Sequence, residues 1–231
     1  MVIDLTKPLK LPKAFTDRLR TLDELCRKHY HLESMFKYSC VLELVKDIDK
    51  HCSERKVVGI HYTRAIPEQI KERGLLVRNG SEIRNTFLTE HGHRFSLNEI
   101  DFIKSCWSDF FTEEYCPARD KRIFFNFTEV ALGNSGSKFL IGLYGGEQVM
   151  MCFDFDDSIG MKLSEIGKPL LIRCALNPSK VKTFTEYPWG KILVSSYHKL
   201  INPEACIFDQ DGYQSIAVTK DDIVNIEVLP E

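Results

Sequence analysis

No stretch of the 231 residues approaches the about 18 consecutive apolar positions that a membrane-spanning helix needs. The first twenty residues, MVIDLTKPLKLPKAFTDRLR, also lack the apolar run of a signal-peptide core. An excess of one charge is missing as well. Lys and Arg number 31 against 33 Asp and Glu, giving a net charge of −2. No strong basic field is therefore available to neutralise a phosphate backbone, although a local patch would suffice for nucleic acid. The eight cysteines, at 26, 40, 52, 106, 116, 152, 174 and 206, form no CxxC pair. Most lie inside apolar runs, as expected of reduced, partly buried thiols in a cytoplasmic type of compartment. His91, His93, Cys106 and Cys116 match no common zinc spacing, and no metal site is expected. No GxGxxG follows a strand-like run and no GxxxxGK[ST] occurs, which removes the Rossmann and P-loop nucleotide sites. Repeats, low-complexity tracts and Pro/Gly/Ser linkers are absent too.

What is present is an ordinary globular mixture, 43% apolar and 28% charged, with enough apolar residues for a sizeable core. The pattern changes near residue 55. Residues 13–52 read as helices: Leu19, Leu22, Leu25 and Cys26 recur at helical spacing, as do Leu42, Leu44, Val45 and Ile48. Thr16-Asp17 is the expected start of the first. This gives an N-terminal helical segment, 1–55, packed on a core of residues 56–231 in one compact domain.

The core reads as α+β. KVVGIHYT is a strand, and AIPEQIKERGLL a helix with Pro67 in its first turn and Gly74 as its stop. Residues 79–120 read as polar and irregular, interrupted by one helix, SLNEIDFIKSCWSDFF, with Ser96 as cap and Glu99 three positions on. After that RIFFNFT, KFLIGLYGG, EQVMMCFDF, PLLIRCAL, KTFTEY, EACIF, YQSIAVT and IVNIEVLP all read as strands, separated by turn residues. Strands in that order, without helices between them, predict a mixed or antiparallel sheet.

Alternation along VVGIHYT places Val57, Gly59, His61 and Thr63 on one face and Val58, Ile60 and Tyr62 on the other. A His and a Thr beside a Gly make a polar spot that a ligand can approach closely. Taken alone, that pair equally suits a polar strand margin. The order of the motifs along the chain adds to it: HYT, a short helix ending in Gly-Leu, the aromatic strand RIFFNFT, the strand LLIRCAL, then PEACIF and the terminal IVNIEV. This motif order over residues 56–230 resembles the ADP-ribosyltransferase superfamily, in the His–aromatic–Glu branch that includes diphtheria-toxin-like enzymes, poly(ADP-ribose) polymerases and DarT-type toxins.

The resemblance implies split mixed or antiparallel sheets, with NAD as the substrate. It implies that His61 and Thr63 bind the nicotinamide ribose, that Tyr62 lies within the same NAD-binding strand, and that Phe124 or Phe125 stacks on nicotinamide. Glu204 then serves as the catalytic carboxylate, with Glu147 of LYGGEQV as its rival. Arg64, just past the strand, is placed to reach the pyrophosphate. His91 and His93, in a polar loop, and His198, near Glu204, are the expected acceptor contacts. The chain departs from the family pattern at two points. RIFFNFT has no tyrosine, and Asn202 stands two residues before Glu204 where arginine-directed members carry Glu or Gln.

The chemistry agrees with these residue types. Breaking the nicotinamide–ribose bond builds an oxocarbenium-like charge on C1′, which a carboxylate beside the 2′-hydroxyl stabilises. The implied activity is mono-ADP-ribosyl transfer to a protein, DNA or RNA acceptor, in the manner of a toxin, defence protein or effector. Whether a partner holds it inactive stays open. The alternatives are a catalytically inactive or unrelated α+β binding module, and an NAD glycohydrolase with water as the only acceptor.

Overall fold

The computed structural model describes residues 2–112 and 119–231. The helices are α1 (Lys13–Arg20), α2 (Asp23–Lys28), α3 (Ser39–Ser53), α4 (Pro67–Arg73), α5 (Gly80–His91), α6 (Leu97–Phe110), α7 (Ser135–Gly142), α8 (Glu147–Met150), α9 (Ser158–Ser164) and α10 (Pro188–Ile201). The strands are β1 (Val2–Ile3), β2 (Lys56–Ala65), β3 (Ile123–Asn126), β4 (Lys168–Leu176), β5 (Lys182–Thr183), β6 (Asp211–Gln214) and β7 (Ile223–Val228). They form one seven-stranded sheet in the order β5-β6-β3-β2-β4-β7, with β1 pairing β2 off this path. The β1–β2 pair is parallel, and β2–β3 and β5–β6 are antiparallel. The fold class is α+β. Among the described residues no helix is long and apolar enough to cross a membrane.

The chain forms two compact units that interleave in sequence. The first comprises Met1–Ile60, Phe124–Ala131 and Arg173–Gln214, the second His61–Ile123, Leu132–Ile172 and Ser215–Glu231. Strands β2 and β4 each run from one unit into the other. In the first unit, α3 buries Val41, Leu44, Val45, Ile48 and Cys52, whereas Leu42 of the expected stripe is only half-buried. Its principal partner is α10, where Ile192, Leu193, Val194 and Tyr197 are all buried. Asp49 of α3 accepts hydrogen bonds from the backbone N–H groups of Trp189 (2.9 Å) and Gly190 (3.2 Å), capping the start of α10. Burial pushes the Asp49 carboxyl above its usual value, against the opposing effect of those two bonds.

In the second unit, Phe87, Phe95, Ile103, Trp107, Leu143, Val149, Met150 and Phe153 belong to one core cluster, and Trp107 Nε1 donates to the Val149 carbonyl at 2.9 Å. Helix α6 opens with the expected Ser96–Glu99 capping box. Helix α4 has Pro67 at its start and Gly74, at φ 73°, at its end. A Cβ on Gly74 would lie 2.0 Å from the Val218 carbonyl, so both the backbone angle and the close approach call for glycine there.

Several expectations are corrected. The first helix begins at Lys13 after Pro12, not at Thr16-Asp17. KFLIGLYGG and EQVMMCFDF are not strands. They carry α7 and α8, joined by Gly145 and Gly146 at positive φ. Their apolar residues are buried in the second unit's core, and a short apolar run buried on several sides carries no period that separates helix from strand. EACIF forms no strand, KTFTEY keeps only Lys182–Thr183, and YQSIAVT is a strand only as far as Gln214. Three helices, α5, α9 and α10, occupy stretches read as irregular or as turn. The strands of the second half therefore have helices between them.

Candidate functional site

Strand β2 alternates as expected only from Ile60 onward, since Val57, Val58 and Gly59 are all buried. Ile60, Tyr62 and Arg64 are buried, and His61, Thr63 and Ala65 are half-exposed. Gly59 has a packing reason to be glycine. A Cβ there would lie 2.3 Å from the Leu176 side chain and 3.2 Å from the Phe125 ring. The backbone thus lies against core side chains at this position, where the sequence suggested the approach of a ligand. Arg64 is also committed. Its Nε donates to the Ile166 carbonyl at 2.9 Å, and its Nη2 lies 3.4 Å from the Glu231 carboxylate. With its side chain 8% exposed, this guanidinium serves as a structural clamp, a placement unlike the pyrophosphate contact expected of it. Tyr62 sits in the core rather than on an open face.

The register of the aromatic strand β3 puts Phe124 and Phe125 on opposite faces of the sheet. Ile60 is the register partner of Asn126, so Phe124 shares the Ile60 face, whereas Phe125 meets Gly59. Phe125 and Phe127 are each 1% exposed. Phe127 packs edge-on against the buried Trp189 at 4.9 Å. Phe124 is half-buried and lies 5.3 Å from the Tyr213 ring.

Glu204 is exposed, on a turn that follows α10, and not at the start of a strand. Its N–H donates to Asn202 Oδ1 at 3.1 Å. Lys199 Nζ donates to the carbonyls of Pro203 and Ala205, which holds the turn. His198 is fully buried, with Nε2 3.1 Å from the Cys26 carbonyl and 3.0 Å from that of His29. Asn202 Nδ2 donates to the same two carbonyls. Both contacts of Nε2 are carbonyl acceptors, so the proton belongs on that nitrogen. His198 and Asn202 together satisfy carbonyls at the C-terminal end of α2, a structural duty different from the acceptor contact expected of His198.

In the second unit, Glu147 opens α8 immediately after Gly146 and forms an ion pair with Arg119. Next to it the buried Gln148 accepts from Arg84 Nη1 at 2.7 Å, and the Arg84 guanidinium lies 4.5 Å from the centre of the Phe111 ring. Phe110, Phe111, Arg119, Glu147, Gln148 and Met151 line a shallow depression. His93 is exposed on a short turn. Cys116 lies outside the described residues.

His91 ends α5 and is buried, with its ring 4.7 Å from Tyr144 and 5.9 Å from Phe87. Its Nε2 is buried and has no hydrogen-bond partner among the described residues. Burial holds its pKa below the ordinary 6.5, the Glu90 carboxylate acting weakly in the other direction. The unfolded chain therefore takes up this proton first, and the His91 contribution to stability is lost as pH falls below 6.5. We expect the urea midpoint to drop between pH 7.5 and pH 5 by less in His91→Leu than in the unmodified protein. Equal drops would show that the ring is not held neutral.

No local signal points to Asp209, which lies in a stretch read only as a turn. Its carboxylate accepts from the Thr128 hydroxyl at 2.6 Å. Burial raises its pKa, with the Thr128 bond acting in the opposite direction.

Comparison with family models, with curated proteins and with solved structures finds no match for this chain.

Proposed function

We propose that the protein consumes NAD as an ADP-ribosyltransferase of the His–aromatic–Glu type, with the corresponding fold. The carrying observation is the open polar face of β2. His61 and Thr63 are half-exposed at alternate positions of an internal strand whose intervening residues are buried. Such a pair holds the two hydroxyls of a ribose by hydrogen bonds, which fixes the bond to be broken in a reactive orientation. A carboxylate, from Glu204 or Glu147, stabilises the ribosyl cation and assists the acceptor as a base. The acceptor is a macromolecule, and the setting that of a toxin, defence protein or effector acting in a reducing cytosol.

The test is incubation of the purified protein with labelled NAD and a cell lysate, separated afterwards into protein, DNA and RNA. Nicotinamide release with label in one fraction is expected. Release without label in any fraction would make the activity a glycohydrolase. Absence of release at millimolar NAD would remove the enzymatic reading.

One observation favours a second reading, a module of this fold without catalysis. Phe125, on the Gly59 face, is 1% exposed and offers a nicotinamide ring almost no surface. The two readings part on thermal stability. A ligand that binds only the folded state at one hundred times its Kd stabilises it by about 2.7 kcal/mol. A non-binding module shows no shift with NAD.

A further inference from the structure

His91 closes the last turn of α5 onto the segment that follows α7. Its side chain is 8% exposed, with the ring edge-on to Tyr144 at 4.7 Å and tilted on Phe87 at 5.9 Å. Phe87 in turn meets Phe95 at 5.7 Å and Trp107 at 5.9 Å, so the imidazole packs against the second unit's core. The Tyr144 N–H is tied to the Leu163 carbonyl of α9.

A neutral imidazole fits this place and an imidazolium does not. Protonation puts an N–H on both ring nitrogens, and among the described residues the buried Nε2 has no acceptor. The Glu90 carboxylate, 3.9 Å from Nε2, is too distant for a hydrogen bond. Glu90 stands about 100° further round the helix, and its side chain is 30% exposed. A charged ring therefore gains that partner, and water, only by leaving the core. On the turn that follows, His93 and Arg94 oppose a charge on the ring. From the segment after α7 the ring faces Tyr144, whose phenol stays neutral through burial and the Glu90 carboxylate, with Arg78 acting weakly against them. The opposite end of α5 is fixed by the capping box of Asn79 and Glu82, which confines any opening at His91 to the last turns.

We infer that His91 is an acid-operated latch on the second unit. Neutral, it holds the C-terminal end of α5 shut against Tyr144. Protonated, it leaves for Glu90 and solvent, and that corner opens while the rest of the unit stays folded. The latch does not depend on NAD turnover and can fail without affecting it.

Hydrogen–deuterium exchange from pH 7.5 to pH 5, read by mass spectrometry and corrected for the intrinsic pH dependence of exchange, tests this. Peptides spanning residues 84–95 and 139–146 should exchange up to about thirtyfold faster at pH 5, the limit set by a released imidazole with its ordinary pKa of 6.5. Peptides from α6, in the same unit, should not accelerate. His91→Gln, uncharged throughout, should abolish the pH dependence. Glu90→Gln removes the carboxylate that favours the charged ring, so the corner should open only at lower pH. Exchange at residues 84–95 that is unchanged between the two pH values would overturn the proposal. So would acceleration spread evenly over the chain, which is global unfolding, or acceleration that persists in His91→Gln. If His91→Gln does not fold, an opening midpoint in Glu90→Gln equal to that of the unmodified protein overturns it alone.

Discussion

Replacing Gly190 by alanine should destabilise the protein by about 3 kcal/mol, the upper part of the range for overpacking, and lower its melting temperature by about 6–12 °C. A Cβ at this position would lie 2.0 Å from the Val45 carbonyl oxygen and 3.1 Å from the Asp49 amide nitrogen. Both atoms belong to the backbone of α3, so no rotamer change relieves the clash and the two helices must separate. The Asp49 carboxylate that receives the Trp189 and Gly190 N–H groups would then lose its geometry in the same movement. Gly136→Ala in α7 is the matched control. Among the described residues nothing lies within 4 Å of its added carbon, and its effect should stay below about 1 kcal/mol. Equal melting temperatures for the two variants would show that α3 and α10 do not meet as closely as described.

The second large effect concerns the carboxylates. Glu204→Gln should reduce nicotinamide release about a hundred- to thousandfold, the loss seen when one group stabilising a charged transition state is removed. The substitution keeps size and hydrogen bonding while removing charge, and the exposed position of Glu204 makes a folding defect unexpected. Glu147→Gln is the necessary comparison, because it cancels the ion pair with Arg119 at the mouth of the shallow depression. Collapse of turnover in Glu147→Gln alone would transfer the role to that residue. Full turnover in both would mean that neither carboxylate faces the reacting sugar.

How much of this was legible in the sequence depends on the signals each element carries locally. Helix α6 was legible because Ser96 and Glu99 form a capping box ahead of a periodic run. Helix α4 was legible from Pro67 and Gly74, whose backbone preferences act locally. Helix α5 has the same signal, Asn79 with Glu82, but only Ile83, Phe87 and His91 recur at four-residue spacing behind it. Helix α10 shows the opposite difficulty. Nine of its residues are buried, so it lacks the polar face from which a period is read.

The site was legible where one strand decides it. Alternation separated His61 and Thr63 from Ile60 and Tyr62, and the structure leaves the first two half-exposed and buries the other two, Tyr62 included, which the family resemblance had placed with the NAD contacts. Choosing between Phe124 and Phe125 required a register, which only the Ile60–Asn126 pairing supplies. Arg64 and His198 looked like ligand contacts because their partners are distant in sequence: Ile166 for the first, Cys26 and His29 for the second. No local pattern reveals that a cation or an imidazole has been claimed by a carbonyl more than a hundred residues away.

The interleaving of the two units also governs how the protein is made. The first unit needs residues up to Gln214 and the second needs the last residue, Glu231. A ribosome adding about 5–20 residues per second must therefore reach Gln214 before the first unit can close. Until then α3 waits without α10, its apolar stripe open to water. Fragments cut near residue 55 should therefore not fold alone, which circular dichroism of the separate pieces would check.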